Sequence, residues 1–126
     1  MTKQQRVIVA DDDRDSAEML AVLVRNKLGL DVSAVYDGRA AVEASLAEHP
    51  VAVILDLDMP VLGGADAAKA IRNSGLHPLP ILVAVSGRVE LARSQDEVFD
   101  HALSKPVDLP RLLDLLASVA LRRAQA

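Results

Sequence analysis

An open parallel α/β sheet covered by helices on both faces is the fold class predicted for this 126-residue chain. Runs that are apolar at every position, Val7-Ile8-Val9-Ala10, Val51-Ala52-Val53-Ile54-Leu55 and Ile81-Leu82-Val83-Ala84-Val85, alternate with segments of helical period. Successive strand residues point to opposite faces, so such runs need both faces covered, as in central parallel strands. Each run also stops at a polar residue: Asp11-Asp12-Asp13, Asp56 and Ser86, with Lys105-Pro106 ending a shorter run, Ala102-Leu103-Ser104. Ligands bind outside the carboxyl ends of the strands in sheets of this kind. Carboxylates, a hydroxyl and an ammonium gathered there suit a divalent cation and a phosphoryl group.

The elements follow in order. After the first strand, residues 14–28 carry Ala17, Leu20, Val24 and Leu28 at helical spacing, with Asp13 as N-cap and Gly29 as the stop. Residues 31–36 are mixed in polarity and read as an edge strand. A second helix follows Asp37-Gly38 and ends before Pro50. Residues 51–55 form the third strand, and a third helix spans residues 64–73, ending near Gly75. The strand over residues 81–85 precedes a helix with a weak apolar face over residues 89–97. Residues 102–104 are a short fifth strand. The last helix starts at Asp108-Leu109-Pro110, where Asp108 caps and Pro110 sits in the first turn. Its stripe is Leu109, Leu112, Leu113, Leu116, Val119 and Ala120, with Leu115 and Leu121 off it. Five such β/α units make one domain over residues 1–126 with no linker.

Composition narrows the functional classes. The apolar fraction is 51%, yet Tyr36 and Phe99 are the only aromatics, so aliphatic residues must build the core. Net charge is −4 and no Lys or Arg run suggests a nucleic-acid footprint. With no cysteine, disulfides and thiol chemistry are excluded. Thr2-Lys3-Gln4-Gln5 lacks the apolar core of a signal peptide, and no apolar stretch approaches membrane-spanning length. A cytoplasmic domain is expected.

In a parallel sheet built from the middle outwards, the first and third strands are neighbours, so Asp11, Asp12 and Asp56 converge. Each of three close carboxylates raises the others' pKa. Mg²⁺ relieves that repulsion with oxygen ligands in an octahedron, usually using one or two protein carboxylates. With the metal, Lys105 and Ser86 around it, Asp56 is a candidate nucleophile for phosphoryl transfer, forming an acyl phosphate. Taken alone, each piece has a plainer reading. The acidic stretch suits a helix start, Met59-Pro60 and Ser86-Gly87 are turn signals, and Lys105 is a surface lysine. His49, His77 and His101 lack metal-like spacing and are expected to be solvated.

Together these residues resemble the response regulator receiver domain, the CheY-like phosphoacceptor module of two-component phosphorelays. The resemblance runs from Arg6 to about Leu121 and rests on Asp11-Asp12-Asp13, Asp56-Leu57-Asp58-Met59-Pro60 with Gly64, Ser86-Gly87 and Lys105-Pro106. It implies a flavodoxin-like, doubly wound five-stranded sheet of order 2-1-3-4-5 with five helices. Asp56 would be the phosphorylated residue, receiving its phosphoryl group from a sensor histidine kinase or histidine phosphotransfer protein. Asp12 would ligate Mg²⁺ (Mn²⁺ as alternative) directly, with Asp11 in support, Asp56 itself and the backbone carbonyl of Asp58 completing the set. Ser86 and Lys105 would contact the phosphoryl group, and the Lys105-Pro106 bond would be cis. Asp58 and Arg88 match positions that tune dephosphorylation, and their opposite charges are placed to pair over the site.

One position departs from the family pattern. Where an aromatic or His often serves as a rotamer switch, this chain has Ala102, beside His101. The signal is then expected to travel through the Ser86-Gly87 loop and residues 89–97 to a downstream protein partner. Two other functions compete. A receiver that signals without phosphate would keep the shape but not need the full acidic set. Asp56-Leu57-Asp58 also resembles the nucleophile motif of haloacid dehalogenase phosphatases, but there the motif precedes the lysine and the acidic pair. A self-modifying signalling domain, rather than a turnover enzyme, is the expected reading.

Overall fold

The computed structural model describes residues 5–59, 61–88 and 98–125. Strands β1 (Arg6–Ala10), β2 (Asp31–Val35), β3 (Ala52–Asp56), β4 (Ile81–Ser86) and β5 (His101–Ser104) form one sheet of order β2-β1-β3-β4-β5. Every neighbouring pair is parallel. Four helices, α1 (Arg14–Leu28), α2 (Gly38–Glu48), α3 (Gly64–Arg72) and α4 (Leu109–Gln125), lie among the described residues. The helix expected over residues 89–97 falls outside them.

Alternation along the strands divides the core. Val7 and Val9 of β1 face α1 and α4, joining Ala17, Ala21, Val24, Leu112, Leu116 and Val119. Ile8 and Ala10 face the other way, onto Ala41 of α2 and Ala67, Ala68 and Ile71 of α3. Strand β3 is buried at every residue, which is why its sequence shows no polar face. Small residues at the helix contacts let the helices approach the sheet without aromatic spacers. Leu115, read from its spacing as off the α4 stripe, is half-buried against the first cluster. Leu121 is 59% exposed.

Capping follows local chemistry. The Asp13 carboxylate accepts from the Ser16 N–H, and Gly29 closes α1 at φ 67° with its N–H on the Arg25 carbonyl. The Asp37 carboxylate caps α2 by accepting from the Ala40 N–H at 2.7 Å. The mixed strand β2 is an edge, as its polarity predicts, and stops at Val35, one residue before the expected Tyr36. Among the described residues no helix is long and apolar enough to cross a membrane.

Close backbone approaches hold the β3–α3 loop. A Cβ at Gly38 would lie 1.8 Å from the carbonyl oxygen of Leu62, so the start of α2 sits directly under the loop. A Cβ at Gly64 would lie 2.3 Å from the carbonyl oxygen of Asp56. Between them Val61, 74% exposed, takes φ 69°, a left-handed conformation costly for a β-branched residue.

Gly38→Ala is accordingly expected to lower stability by about 1–3 kcal/mol through overpacking against backbone. Val61→Gly should raise it by about 1 kcal/mol by removing the left-handed penalty. Urea unfolding midpoints measure both; an unchanged midpoint for Gly38→Ala would mean the loop yields at no cost.

Candidate functional site

The sheet order makes β1 and β3 neighbours, with Ala10 opposite Leu55. The residues that follow these partners therefore leave the sheet side by side. One carboxylate oxygen each from Asp11, Asp12 and Asp56 falls within a group whose members all lie within 4.8 Å of one another. Asp56 is buried at 5% exposure, Asp11 is half-buried and Asp12 is exposed.

Backbone donors and one lysine orient the acids. The Asp13 N–H donates to Asp11 Oδ1 at 3.0 Å, and the Asp58 N–H to Asp56 Oδ1 at 3.1 Å. Lys105 Nζ donates to Asp56 Oδ2 at 2.9 Å and stands 3.9 Å from Asp11 Oδ2. Its own N–H donates to the Ser86 carbonyl at 2.9 Å, which carries the chain back over the edge, and the Lys105-Pro106 bond is cis as expected. A second cis bond, His77-Pro78, had no such sequence signal.

Burial pushes the Asp11 carboxyl up to about 6, and the Asp56 charge adds to the rise, while the Asp13 N–H and the Lys105 charge work against it. Partial burial disfavours the Lys105 ammonium, but the negative charges of Asp56, Asp11 and Asp12 outweigh this and raise its pKa. One ammonium does not balance three carboxylates. A cluster of hard oxygen donors with excess negative charge fits a hard divalent cation such as Mg²⁺.

Ser86 ends β4 one residue past Val85, the partner of Asp56, and is 1% exposed. Its Oγ accepts from the Arg88 N–H at 3.0 Å, and a hydroxyl that accepts still carries a proton of its own to donate. Asp58 and Arg88 are both exposed, and no ion pair joins them, contrary to the pairing expected from their charges. Each donates its own backbone N–H to its own strand end, Asp58 to Asp56 and Arg88 to Ser86. Ala102 sits half-buried on β5, packed against the second cluster. His49, His77 and His101 are exposed and away from the acids.

Sequence reasoning missed two features of the site. One is the backbone contact of Gly64 on Asp56, for which the glycine eight residues downstream was the only signal. The other is a cavity of about 490 Å³ that opens beside Asp56 between α1 and the residues leading into α4. It is invisible in sequence because its lining reads as ordinary core periodicity.

A five-stranded doubly wound sheet with an acidic cluster, a lysine and a hydroxyl at its carboxyl edge defines a phosphoacceptor-type signalling domain. The family model for the response regulator receiver domain matches residues 7–117, and the chain belongs to that family. It is 32% identical over 122 residues to the DNA-binding response regulator MtrA of Mycobacterium tuberculosis, covering 97% of this chain and 53% of that protein. The response regulator MprA of Mycolicibacterium vanbaalenii is 38% identical over 116 residues, 86% of this chain and 47% of its own length. The chain thus spans about half the length of these relatives. A CheY-like receiver domain from Methylobacillus flagellatus superposes with a TM-score of 0.82 at 29% identity, covering 93% of this chain and 99% of that one. The Francisella response regulator 1452 receiver domain, at 22% identity, shares the fold with a TM-score of 0.84 over 95% of this chain and 99% of its own. The protein is a receiver domain of two-component signalling.

The elevated Asp11 pKa sets a pH dependence. Because it lies above the unfolded value, protonated Asp11 stabilises the metal-free fold fully below pH 3.8, and that contribution is lost as pH rises through about 6. Metal binding needs the ionised form, so Mg²⁺ affinity should fall by up to about tenfold per pH unit below 6 and level off above it. Titration calorimetry at pH 5 and 7.5 measures this, and Asp11→Asn should flatten the profile. Asp12→Ala should weaken Mg²⁺ binding while metal-free stability holds or rises, since a like charge is removed. Equal affinity at both pH values in the wild type would contradict the Asp11 assignment.

Proposed function

We propose that Asp56 accepts a phosphoryl group from the phosphohistidine of a sensor histidine kinase or histidine phosphotransfer protein, and that the modified domain changes its affinity for a protein partner. The observation that carries this reading is the buried Asp56 carboxylate, hydrogen-bonded by Lys105 at 2.9 Å and clustered with Asp11 and Asp12. Asp11, Asp12 and Asp56, with the Asp58 backbone carbonyl, would hold Mg²⁺, or Mn²⁺ in its place. Bound there, a divalent ion would neutralise charge on the phosphoryl oxygens.

The chain's own groups do the rest. One Asp56 oxygen attacks phosphorus as the bond to the donor nitrogen breaks, giving an aspartyl phosphate. Lys105 already lies on Asp56 Oδ2, so a small movement carries its ammonium onto a phosphoryl oxygen. The buried Ser86 hydroxyl retains a proton to donate to another of those oxygens. Asp58 and Arg88 are exposed, which leaves them free to tune access of the hydrolytic water in this reading. Ala102 has no ring to reorient, so the Ser86-Gly87 loop takes over the relay of the modified state. The family is one of signalling proteins rather than conventional enzymes, and Asp56 is modified rather than turned over. The net charge of −4 supports a protein partner and gives the domain itself no nucleic-acid footprint, and a cytoplasmic setting suits the phosphodonor.

Asp56→Asn is expected to abolish Mg²⁺-dependent labelling by acetyl phosphate or a phosphorylated kinase, scored by intact mass and phosphate-affinity electrophoresis. Lys105→Ala should lower the labelling rate by about tenfold or more through loss of charge stabilisation. Undiminished labelling of Asp56→Asn would move the acceptor to another residue.

A further inference from the structure

The two edges of the sheet are protected differently. Strand β5 is short and runs into Lys105-Pro106, features that discourage pairing with another chain. Strand β2 carries no lysine, proline or glycine to blunt its edge. The Asp31 N–H donates to the Gln5 carbonyl, and the Val35 carbonyl accepts from the Asp11 N–H. Residues 31, 33 and 35 therefore aim their backbone groups at β1, and Val32 and Ala34 aim theirs outward. One outward group is taken. The guanidinium of Arg25, in the last turn of α1, donates to the Val32 carbonyl at 2.9 Å. Among the described residues that guanidinium pairs with no carboxylate, and no side chain bonds the backbone of Ala34.

We infer that the outer edge of β2 is a pairing surface for the same edge of a second copy of this chain, and that Arg25 holds it closed. A two-fold axis at Ser33 sets the two strands antiparallel, with Val32 of each copy opposite Ala34 of the other. In each such pair the Ala34 N–H donates to the Val32 carbonyl, and the Val32 N–H donates to the Ala34 carbonyl. Asp31 then faces Val35 and Ser33 faces Ser33, so no like charges meet across the seam. Self-pairing is matched along the strand except at the Val32 carbonyl, where the guanidinium already sits. A charged donor must give up a strong hydrogen bond and withdraw its head group before a second strand can approach. The requirement falls on both copies, so it counts twice. Ser33, Ala34 and Val35 are only half-buried, so removal of the arginine head leaves the strand accessible.

The test is sedimentation velocity of the full chain from micromolar to millimolar concentration, with folding checked by circular dichroism. The wild type should stay monomeric over the range in which Arg25→Ala forms a dimer. The association constant of Arg25→Ala should exceed that of the wild type by about tenfold for each carbonyl freed, and so by about a hundredfold for the pair. Ala34→Pro removes an outward N–H that an edge strand does not need, and should return Arg25→Ala to monomer. Val22→Glu, one turn earlier at an exposed position of α1, offers the guanidinium a carboxylate and should also raise association. A folded, monomeric Arg25→Ala would overturn the inference, and if that variant does not fold, a monomeric Val22→Glu does so in its place. Wild type that associates as strongly as Arg25→Ala would show that the arginine guards nothing. A dimer that survives Ala34→Pro would lie on another surface, and the inference falls with it.

Discussion

Three carboxylates meet one ammonium at the carboxyl edge of the sheet, and that imbalance organises the site. Adjacency of β1 and β3 brings Asp11 and Asp12 beside Asp56, and the short β5 delivers Lys105 to the same point. Repulsion among the acids is offset in part by the lysine and in part by backbone N–H donors from Asp13 and Asp58. Asp11 has a raised pKa, chiefly through burial, with the Asp56 charge adding to the rise. A site left with excess negative charge has a built-in demand for cations, and the same groups that strain the metal-free protein are those a divalent ion would satisfy.

Such a site needs its loops held, because carboxylate separations decide both repulsion and coordination. The two close approaches at Gly38 and Gly64 do this on the α2 and α3 side, where backbone packs directly on backbone. Neither position tolerates a side chain without moving the β3–α3 loop that carries Asp58. The left-handed Val61 in that loop shows that the surrounding contacts outweigh a local backbone preference.

The two faces of the sheet are unequal. Below α2 and α3, small residues allow tight contact, and the second cluster is closed by Phe99. Between α1 and α4 the packing opens toward the carboxyl edge, leaving the apolar cavity with Asp56 at its end. That cavity is bounded by α1 on one side and by the Pro106-Val107 turn on the other.

By itself the sequence determined the order and type of the elements among the described residues, because unbroken apolar runs admit only covered strands and Asp13, Gly29 and Asp37 mark helix ends by local chemistry. It also determined which residues reach the carboxyl edge of the sheet, since Asp11, Asp56, Ser86 and Lys105 each directly follow or end a strand and Asp12 comes one residue further. The strand order came from family resemblance and not from periodicity, which carries no information about neighbours. Tertiary structure alone decided the rest. Leu115 is half-buried because α4 meets α1 as well as the sheet, which a single stripe does not reveal. Asp58 and Arg88 form no ion pair although their charges suggest one, and each backbone N–H instead donates two residues back, to Asp56 and to Ser86. The Lys105 contact with Asp56, the raised Asp11 pKa and the cavity beside them depend on distances between segments far apart in the chain. Such distances are fixed by packing, and no local pattern of residues encodes them.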